Sequence, residues 1–413
     1  MNKKKVGIVG GGAAGLMAAI TAAREGAAVT LLEAGERVGK KLLSTGNGKC
    51  NLSNLDFNAG CYYGPSDFLE QCFSLFDVQD TISFFEGLGL FLRDRNGYLY
   101  PFCEQASAVL GVLRHEIASL GIQVETMFRV DSVKPIQGGG WEVRSGKESR
   151  RFDAVILTTG GKAAPKTGSD GSGYDLAKAL GHRIVPVVPA LTALRCKEDF
   201  FPSIAGVRTD AEIMLLSKDG AVMASERGEL QLTDYGISGI PTFQLSRIAS
   251  YALKDQKELK VKIDFLPQIQ ADDLTKLAKE RMALRGGRSV EELFTGTLHK
   301  KLVILLIKRL GLKPSEASDQ ISESKLIEFF WICKNFTVTA TKTGDFQNCQ
   351  VCAGGVDIQQ IKDTMESKLH QGLFFAGELL DVDGRCGGYN LQWAWTSGWI
   401  AGKYAAGMTG RQG

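Results

Sequence analysis

The sequence has few histidines and no excess of charge of either sign, and each absence excludes a class of function. The 49 basic and 46 acidic residues nearly cancel, which argues against nucleic acid as a partner. Only four of the 413 residues are histidines, and none has the partners of a catalytic triad. We therefore expect structural or surface roles for all four, which are His115, His182, His299 and His370.

The sequence also predicts neither a membrane-spanning hydrophobic run nor a secretory leader. The longest purely aliphatic run extends from Leu302 to Ile307 and is too short to cross a bilayer. The first strand begins almost at the N-terminus, which leaves no room for a signal peptide. The nine cysteines are scattered, as is typical of a reduced intracellular protein rather than a disulfide framework. The sequence therefore predicts a cytoplasmic protein without a membrane partner, and it leaves the oligomeric state open.

The strongest positive feature is a glycine turn between a strand and a helix. A hydrophobic strand ends at Val9, and the pattern Gly10-x-Gly12-x-x-Gly15 leads into an alanine-rich helix. Gly10 allows the turn, Gly12 allows the backbone to approach a phosphate, and Gly15 allows the helix to pack closely on its strand. A unit of this kind is typical of a pyrophosphate site at a helix N-terminus.

A carboxylate after the next strand narrows the choice of nucleotide. The segment Ala28–Leu32 predicts a second strand, and Glu33 follows it, about twenty residues beyond the turn, where an acid binds the ribose hydroxyls. A carboxylate at this place disfavours a 2′-phosphate, so NADP is not the expected occupant. The alternative is a βαβ unit that binds no nucleotide and whose glycines serve packing alone.

The composition of the chain changes twice, which indicates an inserted region. The length predicts two or three domains. Short alternating stretches from Leu191 to about Phe265 predict a compact β unit. Helical periodicity then predicts a small module of three helices at Asp272–Leu284, Val290–Leu310 and Ser315–Cys333. Strand and glycine patterns return after these helices. We therefore expect one nucleotide domain built from both ends of the chain.

Two further glycine-containing segments are candidates for contact with a cofactor. Residues 39–51 combine small residues with lysines that suit phosphate and with amides that suit a heterocycle. An ordinary solvent loop is the alternative. Residues 377–392 combine a strand end, a polar loop and a helix start whose dipole could stabilise a reduced flavin. A glycine hinge before a C-terminal helix is the alternative there.

Five motifs occur in order along the chain, at residues 7–15, 46–51, 167–174, 352–356 and 387–392. This set resembles the YhiN/BaiN-like bacterial flavoproteins, which include aminoacetone-oxidase-like members. The resemblance implies an α/β fold and FAD, not NAD, in the first-domain site. The predicted domains are a discontinuous Rossmann-like FAD-binding domain (1–190 and 336–413), a β-barrel-like insert (191–270) and a small helical insert (271–335).

The same resemblance implies which residues hold FAD. The glycine turn would hold the pyrophosphate, Glu33 the adenosine ribose, and the C-terminal helix start the pyrimidine side of the flavin. The implied cofactor residues are Gly10, Gly12, Ala13, Ala14, Gly15, Glu33, Lys40, Lys41, Asn47, Gly48, Cys50, Asn51, Val130, Thr159, Gly160, Gly377, Glu378, Gly388, Tyr389, Asn390 and Leu391. Lys49 stands where the family pattern predicts arginine, a change that keeps the charge but loses bidentate hydrogen bonding.

Three cysteines and a tyrosine are the remaining chemical candidates. The pair Cys349-x-x-Cys352 is unusual for the family, and without a second ligand pair no metal site is predicted. Two inert buried thiols are favoured over a redox dithiol. Cys50 is a catalytic candidate with a packing role as the alternative. Tyr389 is a candidate proton donor, and a structural phenol beside FAD is the alternative.

These features together predict an FAD-dependent oxidoreductase that moves a hydride between flavin N5 and a small organic substrate. The resemblance favours reduction or desaturation of a steroid-like or bile-acid-like enone, with NADH or NADPH as a possible donor. The alternatives are an amine or aminoketone oxidase that uses O2, and a flavin-binding redox sensor without turnover. The substrate is expected to bind where the insertion covers the flavin.

Overall fold

The structure is a computed structural model that describes residues 3–407, so residues 1–2 and 408–413 of the predicted FAD-binding domain lie outside the described residues. The chain divides into two compact units. The first comprises Met1–Val188 together with Phe346–Gly413, and the second comprises Pro189–Asp345. The first unit is therefore built from both ends of the sequence.

Regular elements follow one another closely along the chain. The N-terminal part contains β1 (Lys5–Val9), α1 (Ala13–Arg24), β2 (Ala28–Leu32), β3 (Ser53–Asn54), β4 (Tyr62–Tyr63), α2 (Ser66–Leu75), α3 (Val78–Gly87), β5 (Leu92–Arg95), β6 (Tyr98–Pro101), α4 (Ala106–Ser119), β7 (Gln123–Glu125), β8 (Ser132–Pro135), β9 (Trp141–Ser145), β10 (Glu148–Phe152), β11 (Ala154–Leu157), α5 (Ser172–Ala179) and β12 (Ile184–Ala190). The middle part contains β13 (Leu194–Cys196), α6 (Phe201–Ile204), β14 (Arg208–Leu216), β15 (Val222–Leu232), β16 (Gly236–Gly239), α7 (Ile240–Asp255), β17 (Leu259–Asp264), α8 (Leu274–Met282), α9 (Val290–Leu293), α10 (Lys300–Arg309), α11 (Glu323–Lys334) and β18 (Phe336–Thr343). The C-terminal part contains β19 (Val351–Val356), β20 (Leu373–Phe375), β21 (Asp383–Gly384) and α12 (Tyr389–Ala405).

A parallel sheet with the strand order β20-β11-β1-β2-β7 forms the centre of the first unit. Val9 pairs with Leu32 and Leu157, and Leu157 pairs with Phe375, so four strands end at the same level. The loops that follow β1, β2, β11 and β20 therefore emerge together at one edge of the sheet. Strands β1 and β11 are buried almost throughout, as expected for a parallel sheet covered on both faces.

Helix α12 packs against α1 at a distance that only glycine permits. A Cβ atom at Gly398 would lie 2.5 Å from the carbonyl oxygen of Ala14. The indole of Trp393 is 1% exposed, and its N–H donates to the carbonyl of Gly377, 3.2 Å away. These contacts fix the C-terminal helix on the N-terminal βαβ unit, which positions its first turn beside the glycine loop.

The second unit contains a closed antiparallel barrel with the strand order β13-β16-β15-β14-β17-β18. Buried and less buried residues alternate along β14, as expected for a strand with one face inside a barrel. Apolar side chains of the barrel and of helices α10 and α11 belong to one continuous hydrophobic core. The α/β class and the barrel-like insert agree with the sequence-based prediction.

The boundaries within the insert differ from those predicted. Residues 336–345 were assigned to the FAD-binding domain, but β18 pairs with β13 and β17 and closes the barrel. Residues 271–335 do not form a unit of their own, because their helices share the barrel's core. The predicted helix Val290–Leu310 is interrupted between Leu293 and Lys300, where Gly296 adopts a φ of +80°.

Helices long and apolar enough for a membrane span do not occur among the residues that the structure describes.

A buried histidine in the first unit predicts a loss of stability in mild acid. His182 is 3% exposed, its Nε2 atom lies 2.9 Å from the hydroxyl of Ser367, and its ring contacts Phe375. Burial, and secondly the neighbouring His370, lower the pKa of His182 to about 4. The unfolded chain, with a histidine pKa of about 6.5, then binds a proton that the folded protein excludes. Stability is therefore fully present above pH 6.5 and falls as the pH drops towards 4.

We expect the free energy of unfolding to fall by about 2 kcal/mol from this residue between pH 7.5 and pH 5. Urea denaturation of the wild-type protein and His182→Gln at both pH values measures the contribution. The variant should lose less stability on acidification than the wild type does. Equal losses in the two proteins would show that another group titrates in this range.

Candidate cofactor site

A pocket opens at the sheet edge where the parallel strands end. It is lined by the loops after β1, β2, β11 and β20, by residues after β7, and by the start of α12. Fourteen of the predicted cofactor residues line it together: Gly10, Gly12, Ala13, Ala14, Glu33, Lys40, Lys41, Val130, Thr159, Gly160, Gly377, Glu378, Asn390 and Leu391. The fold thus collects into one cavity residues that lie far apart in the sequence.

The glycine turn has three different steric environments. Gly10 adopts a φ of +106°, and a Cβ atom there would lie 2.6 Å from the carbonyl oxygen of Thr158. At Gly15 a Cβ atom would lie 1.9 Å from the carbonyl oxygen of Gly10, so this glycine allows close packing and does not line the pocket. At Gly12, in contrast, a Cβ atom would meet no protein atom within 4 Å. The protein itself does not require glycine at position 12, and the space in front of it suits a bound group.

The first turn of α1 faces this space without a side-chain cap. Its N-cap is Gly12, so no side chain satisfies the first backbone N–H groups of the helix. Gly12, Ala13 and Ala14 all line the pocket. Unpaired N–H groups at a helix N-terminus, together with the helix dipole, bind phosphate oxygens. The chemistry of this part of the pocket therefore fits a pyrophosphate.

Glu33 links two backbone segments at the end of β2. Its Oε2 atom accepts a hydrogen bond from the N–H of Gly11 at 2.8 Å, and its Oε1 atom accepts one from the N–H of Gly35 at 2.7 Å. A carboxylate has further lone pairs, so these bonds leave acceptor capacity for hydroxyl groups. Glu33 thus combines the predicted position for ribose binding with a structural role that the sequence did not indicate.

Two of the residues that line the pocket form an ion pair. The ammonium of Lys41 lies 2.5 Å from Oε2 of Glu378, and Oε1 of Glu378 accepts the backbone N–H of Cys352 at 2.8 Å. The sequence predicted Lys41 near phosphate, whereas its ammonium is already paired with a carboxylate. Both side chains are partly exposed, at 25% and 18%, so the pair remains accessible from the cavity.

Seven predicted cofactor residues do not line the pocket: Gly15, Asn47, Gly48, Cys50, Asn51, Gly388 and Tyr389. Asn47 adopts a φ of +55° in an exposed turn. The Oδ1 atom of Asn51 is buried without a hydrogen-bond partner and lies near Gly388. Lys49, the departure from the family pattern, forms an ion pair with Glu104 at 2.7 Å. The structure does not bring this segment as a whole into the cavity.

Cys50 lies in a setting that favours packing over catalysis. Its side chain is fully buried, and burial raises the pKa of the Cys50 thiol to about 12. The reactive form of a cysteine is the thiolate, which this pKa excludes at neutral pH. We therefore assign Cys50 a structural role in place of the catalytic role predicted from the sequence.

Tyr389 is engaged in hydrogen bonding away from the pocket. Its hydroxyl donates to the carbonyl oxygen of Asp56 at 2.8 Å, and its ring packs edge-on against Tyr62. Burial raises the pKa of Tyr389 above its ordinary value, which opposes proton release. The geometry matches the structural phenol that was the alternative to a proton donor.

Removal of this hydroxyl should affect stability more than turnover. In Tyr389→Phe the carbonyl of Asp56 loses the phenol and keeps only the weak S–H donor of Cys61, so we expect the free energy of unfolding to fall by about 1 kcal/mol. Steady-state turnover should remain within about twofold of wild type, because the hydroxyl donates to Asp56 and neither residue lines the pocket. A loss of turnover of about 100-fold with unchanged stability would instead identify Tyr389 as the proton donor.

Sequence reasoning missed several residues of the pocket wall. Those with polar side chains are Arg37, Thr45, Arg129, Thr158, Thr167, Ser169, Ser172 and Gln350. Thr167 and Ser169 belong to a motif that the sequence singled out without a role. Ser169 donates to the carbonyl of Gly161 at 3.0 Å and so holds the loop that follows β11. Nothing in the sequence pattern marked Gln350.

Comparison with known proteins identifies the family. Residues 4–404 match the HI0933-like protein Rossmann domain. The chain is 42% identical over 407 residues to a 3-dehydro-bile acid delta(4,6)-reductase of Clostridium scindens, covering 97% of this chain and 99% of that protein. It is 29% identical over 402 residues to a ribosomal RNA dihydrouridine synthase of Haemophilus influenzae, covering 94% and 95%.

Solved structures share the fold at low sequence identity. A 3-ketosteroid delta1-dehydrogenase of Sterolibacterium denitrificans matches with a TM-score of 0.52 at 12% identity, over 98% of this chain and all of the other. A 3-ketosteroid-delta4-(5alpha)-dehydrogenase of Rhodococcus jostii matches with a TM-score of 0.50 at 16% identity, over 98% and 97%. These matches confirm the predicted fold class. The resemblance to the YhiN/BaiN-like proteins is confirmed as well: the chain belongs to the HI0933-like family and is a flavoprotein oxidoreductase.

Proposed function

We propose that this protein binds FAD in the pocket at the sheet edge and reduces a carbon–carbon double bond conjugated to a ketone. The observation that carries the cofactor assignment is the open space at Gly12 beside the uncapped start of α1. The backbone N–H groups of Gly12 to Ala14 would hold the pyrophosphate, and Glu33 would accept from the adenosine ribose. When bound, FAD supplies hydride transfer at N5 of its ring.

The start of α12 and the Lys41–Glu378 pair have separate tasks in this proposal. Asn390 and Leu391 bring the positive end of a 17-residue helix to the cavity, where it would stabilise negative charge on a reduced flavin. The side-chain amide of Asn390 donates to the carbonyl of Gly384 at 2.8 Å, which fixes the loop before this helix. Lys41 and Glu378 would orient the ribityl side of the cofactor through their remaining donors and acceptors.

The substrate class rests on the reductase of Clostridium scindens, whose name specifies a 3-dehydro-bile acid and reduction at delta(4,6). An identity of 42% over nearly the whole of both chains supports a related enone as the substrate here. NADH or NADPH is the proposed electron donor. The chain contains one strand–glycine turn–helix unit of this type, so the donor would bind transiently rather than in a second nucleotide domain.

A second candidate substrate is uridine within RNA, which the names of two relatives favour, at 29% and 28% identity. The C5=C6 bond of uracil is conjugated to a carbonyl, so its saturation is the same class of reaction as enone reduction. The near balance of 49 basic and 46 acidic residues disfavours a large polyanion as substrate. The steroid-like enone therefore remains the first choice.

Anaerobic stopped-flow spectroscopy tests these assignments on the purified protein. NADH or NADPH should bleach the visible absorbance of the bound flavin, and a steroidal 4-en-3-one or 4,6-dien-3-one should restore it. Restoration by a uridine-containing ribosomal RNA fragment alone would favour the second candidate, and bleaching by aminoacetone would favour the oxidase. If no donor or substrate reduces the bound flavin, the remaining candidate is a flavin-binding redox sensor without turnover. Protein that takes up no FAD would overturn the cofactor assignment itself.

A further inference from the structure

Lys41 and Glu378 bring two opposite charges into the wall of the cofactor pocket. Their side chains are 25% and 18% exposed, and the ammonium lies 2.5 Å from the carboxylate. Leu42 and Leu379, which follow them directly in the chain, are buried. Water and salt screen partly buried charges much less than surface charges. A cofactor in this pocket is therefore exposed to the field of each partner.

The strand order places this pair on the flavin side of the glycine turn. In the parallel sheet, Glu33 follows β2, the glycine turn follows β1, and Glu378 lies just after β20. The order β20-β11-β1-β2 separates the strand ends that carry the two glutamates by three strand positions, or about 14 Å. A dinucleotide with its ribose at Glu33 and its pyrophosphate at the glycine turn therefore extends its other half towards Glu378.

The other charged side chains that line the pocket differ from this pair in exposure or in place. Arg37 and Lys40 are exposed. Arg129 pairs with Asp170, but the arginine side chain is 58% exposed. Solvent therefore screens these three cations. Glu33 lies at the ribose end, where its oxygens accept two backbone N–H groups.

The protein holds the carboxylate of Glu378 independently of the lysine. Its Oε1 atom accepts the backbone N–H of Cys352 at 2.8 Å, while Oε2 pairs with Lys41. The backbone before it is fixed as well, because the N–H of Gly377 donates to the hydroxyl of Ser397 at 2.9 Å. Each charge of the pair can therefore be removed by substitution while the other stays in the pocket wall.

We propose that Lys41 and Glu378 set the reduction potential of the bound flavin through opposite electrostatic effects that nearly cancel. This role rests on the proposed binding of FAD. The hydride that reduces the oxidised flavin carries two electrons and one proton, and it leaves one negative charge on the reduced ring. The ammonium stabilises this charge and the carboxylate destabilises it. The pair thus keeps the pocket wall neutral, whereas either charge alone would shift the reduction equilibrium.

The reduction potential of the holoenzyme measures each charge separately. Xanthine and xanthine oxidase reduce the bound flavin beside a dye of known potential, and the two absorbances give the equilibrium. In Glu378→Gln the ammonium is unopposed, so the equilibrium constant for two-electron reduction should rise about tenfold, a positive shift of about 30 mV. In Lys41→Met the carboxylate is unopposed, so the potential should shift by about 30 mV in the negative direction.

Two control variants separate charge from packing. The double variant Lys41→Met/Glu378→Gln has a neutral wall again, so its equilibrium constant should return to within about twofold of wild type. Lys166→Met removes an exposed cation outside the pocket lining and should also remain within about twofold. Shifts of the same sign in the two single variants, or no shift in either, would refute the tuning role.

The wild-type protein decides the outcome if the variants retain no FAD. Between about pH 7.5 and 9 its potential should fall by about 30 mV per pH unit, because one proton accompanies two electrons. A fall of about 60 mV per unit would show a neutral reduced flavin, which lacks the charge on which the pair acts. Wild-type protein that takes up no FAD would instead refute the proposed function, so the two failures are distinguishable.

Discussion

Gly12→Ala is expected to weaken FAD binding by about 100-fold while leaving the free energy of unfolding of the apoprotein unchanged. The protein offers a new Cβ atom at this position free space, with nothing within 4 Å. The backbone of Gly12 has a φ of −80°, which any residue adopts, so the substitution introduces no strain. The methyl group would therefore clash only with the phosphate that the uncapped helix start is expected to bind. Fluorescence titration of apoprotein with FAD, beside urea denaturation, measures both quantities.

Gly15→Ala is the matched control in the same turn. Its new Cβ atom would lie 1.9 Å from the carbonyl oxygen of Gly10, a backbone atom that cannot rotate away. We expect the free energy of unfolding of the apoprotein to fall by about 2–3 kcal/mol, as for an overpacked core. The two variants thus separate a glycine needed by the ligand from one needed by the fold. Similar losses of stability in both would contradict the assignment of Gly12 to phosphate binding.

The glycine turn was predictable from the sequence because its determinants are local. The strand before it, the three glycine positions and the carboxylate after the second strand all lie within about 30 residues, the length of one βαβ unit. The strand Ala28–Leu32 was likewise predicted with its observed bounds, because it is a short apolar run that follows a glycine turn. Local hydrophobic patterns and turn residues were therefore sufficient to predict the strands and the glycine turn that form this part of the cofactor pocket.

The parts that sequence reasoning missed depend on contacts between distant segments. Strand β18 closes the barrel through pairing with β13, about 140 residues earlier, and no local pattern encodes such a register. Tyr389, at a helix start, was a candidate proton donor. Its hydroxyl instead donates to the carbonyl oxygen of Asp56, and no sequence pattern indicates that these distant residues are in contact. The pairing of Lys41 with Glu378 is a third example, since it determines which charge the pocket presents.

Glu33→Gln is expected to reduce the affinity for FAD by at least about 100-fold. Each oxygen of Glu33 accepts a backbone N–H, so an amide nitrogen must face one of these donors and leave it unpaired. The neutral side chain also binds ribose hydroxyls less strongly than a carboxylate does. Glu36→Gln removes the same charge from an exposed position three residues later and should leave FAD affinity within about twofold of wild type.

The loss of FAD affinity in Glu33→Gln has two possible sources, a less ordered glycine turn or a lost contact with the ribose. Comparing two ligands that differ by one ribose hydroxyl distinguishes between these sources. Wild-type apoprotein should bind ADP about tenfold more tightly than 2′-deoxy-ADP in competition with FAD, because only ADP offers the second hydroxyl. In Glu33→Gln this preference should disappear, whatever the loss of absolute affinity. If the variant still preferred ADP over 2′-deoxy-ADP, Glu33 would serve only to order the glycine turn. The carboxylate would then act on the nucleotide only through the backbone N–H groups of Gly11 and Gly35 that it holds.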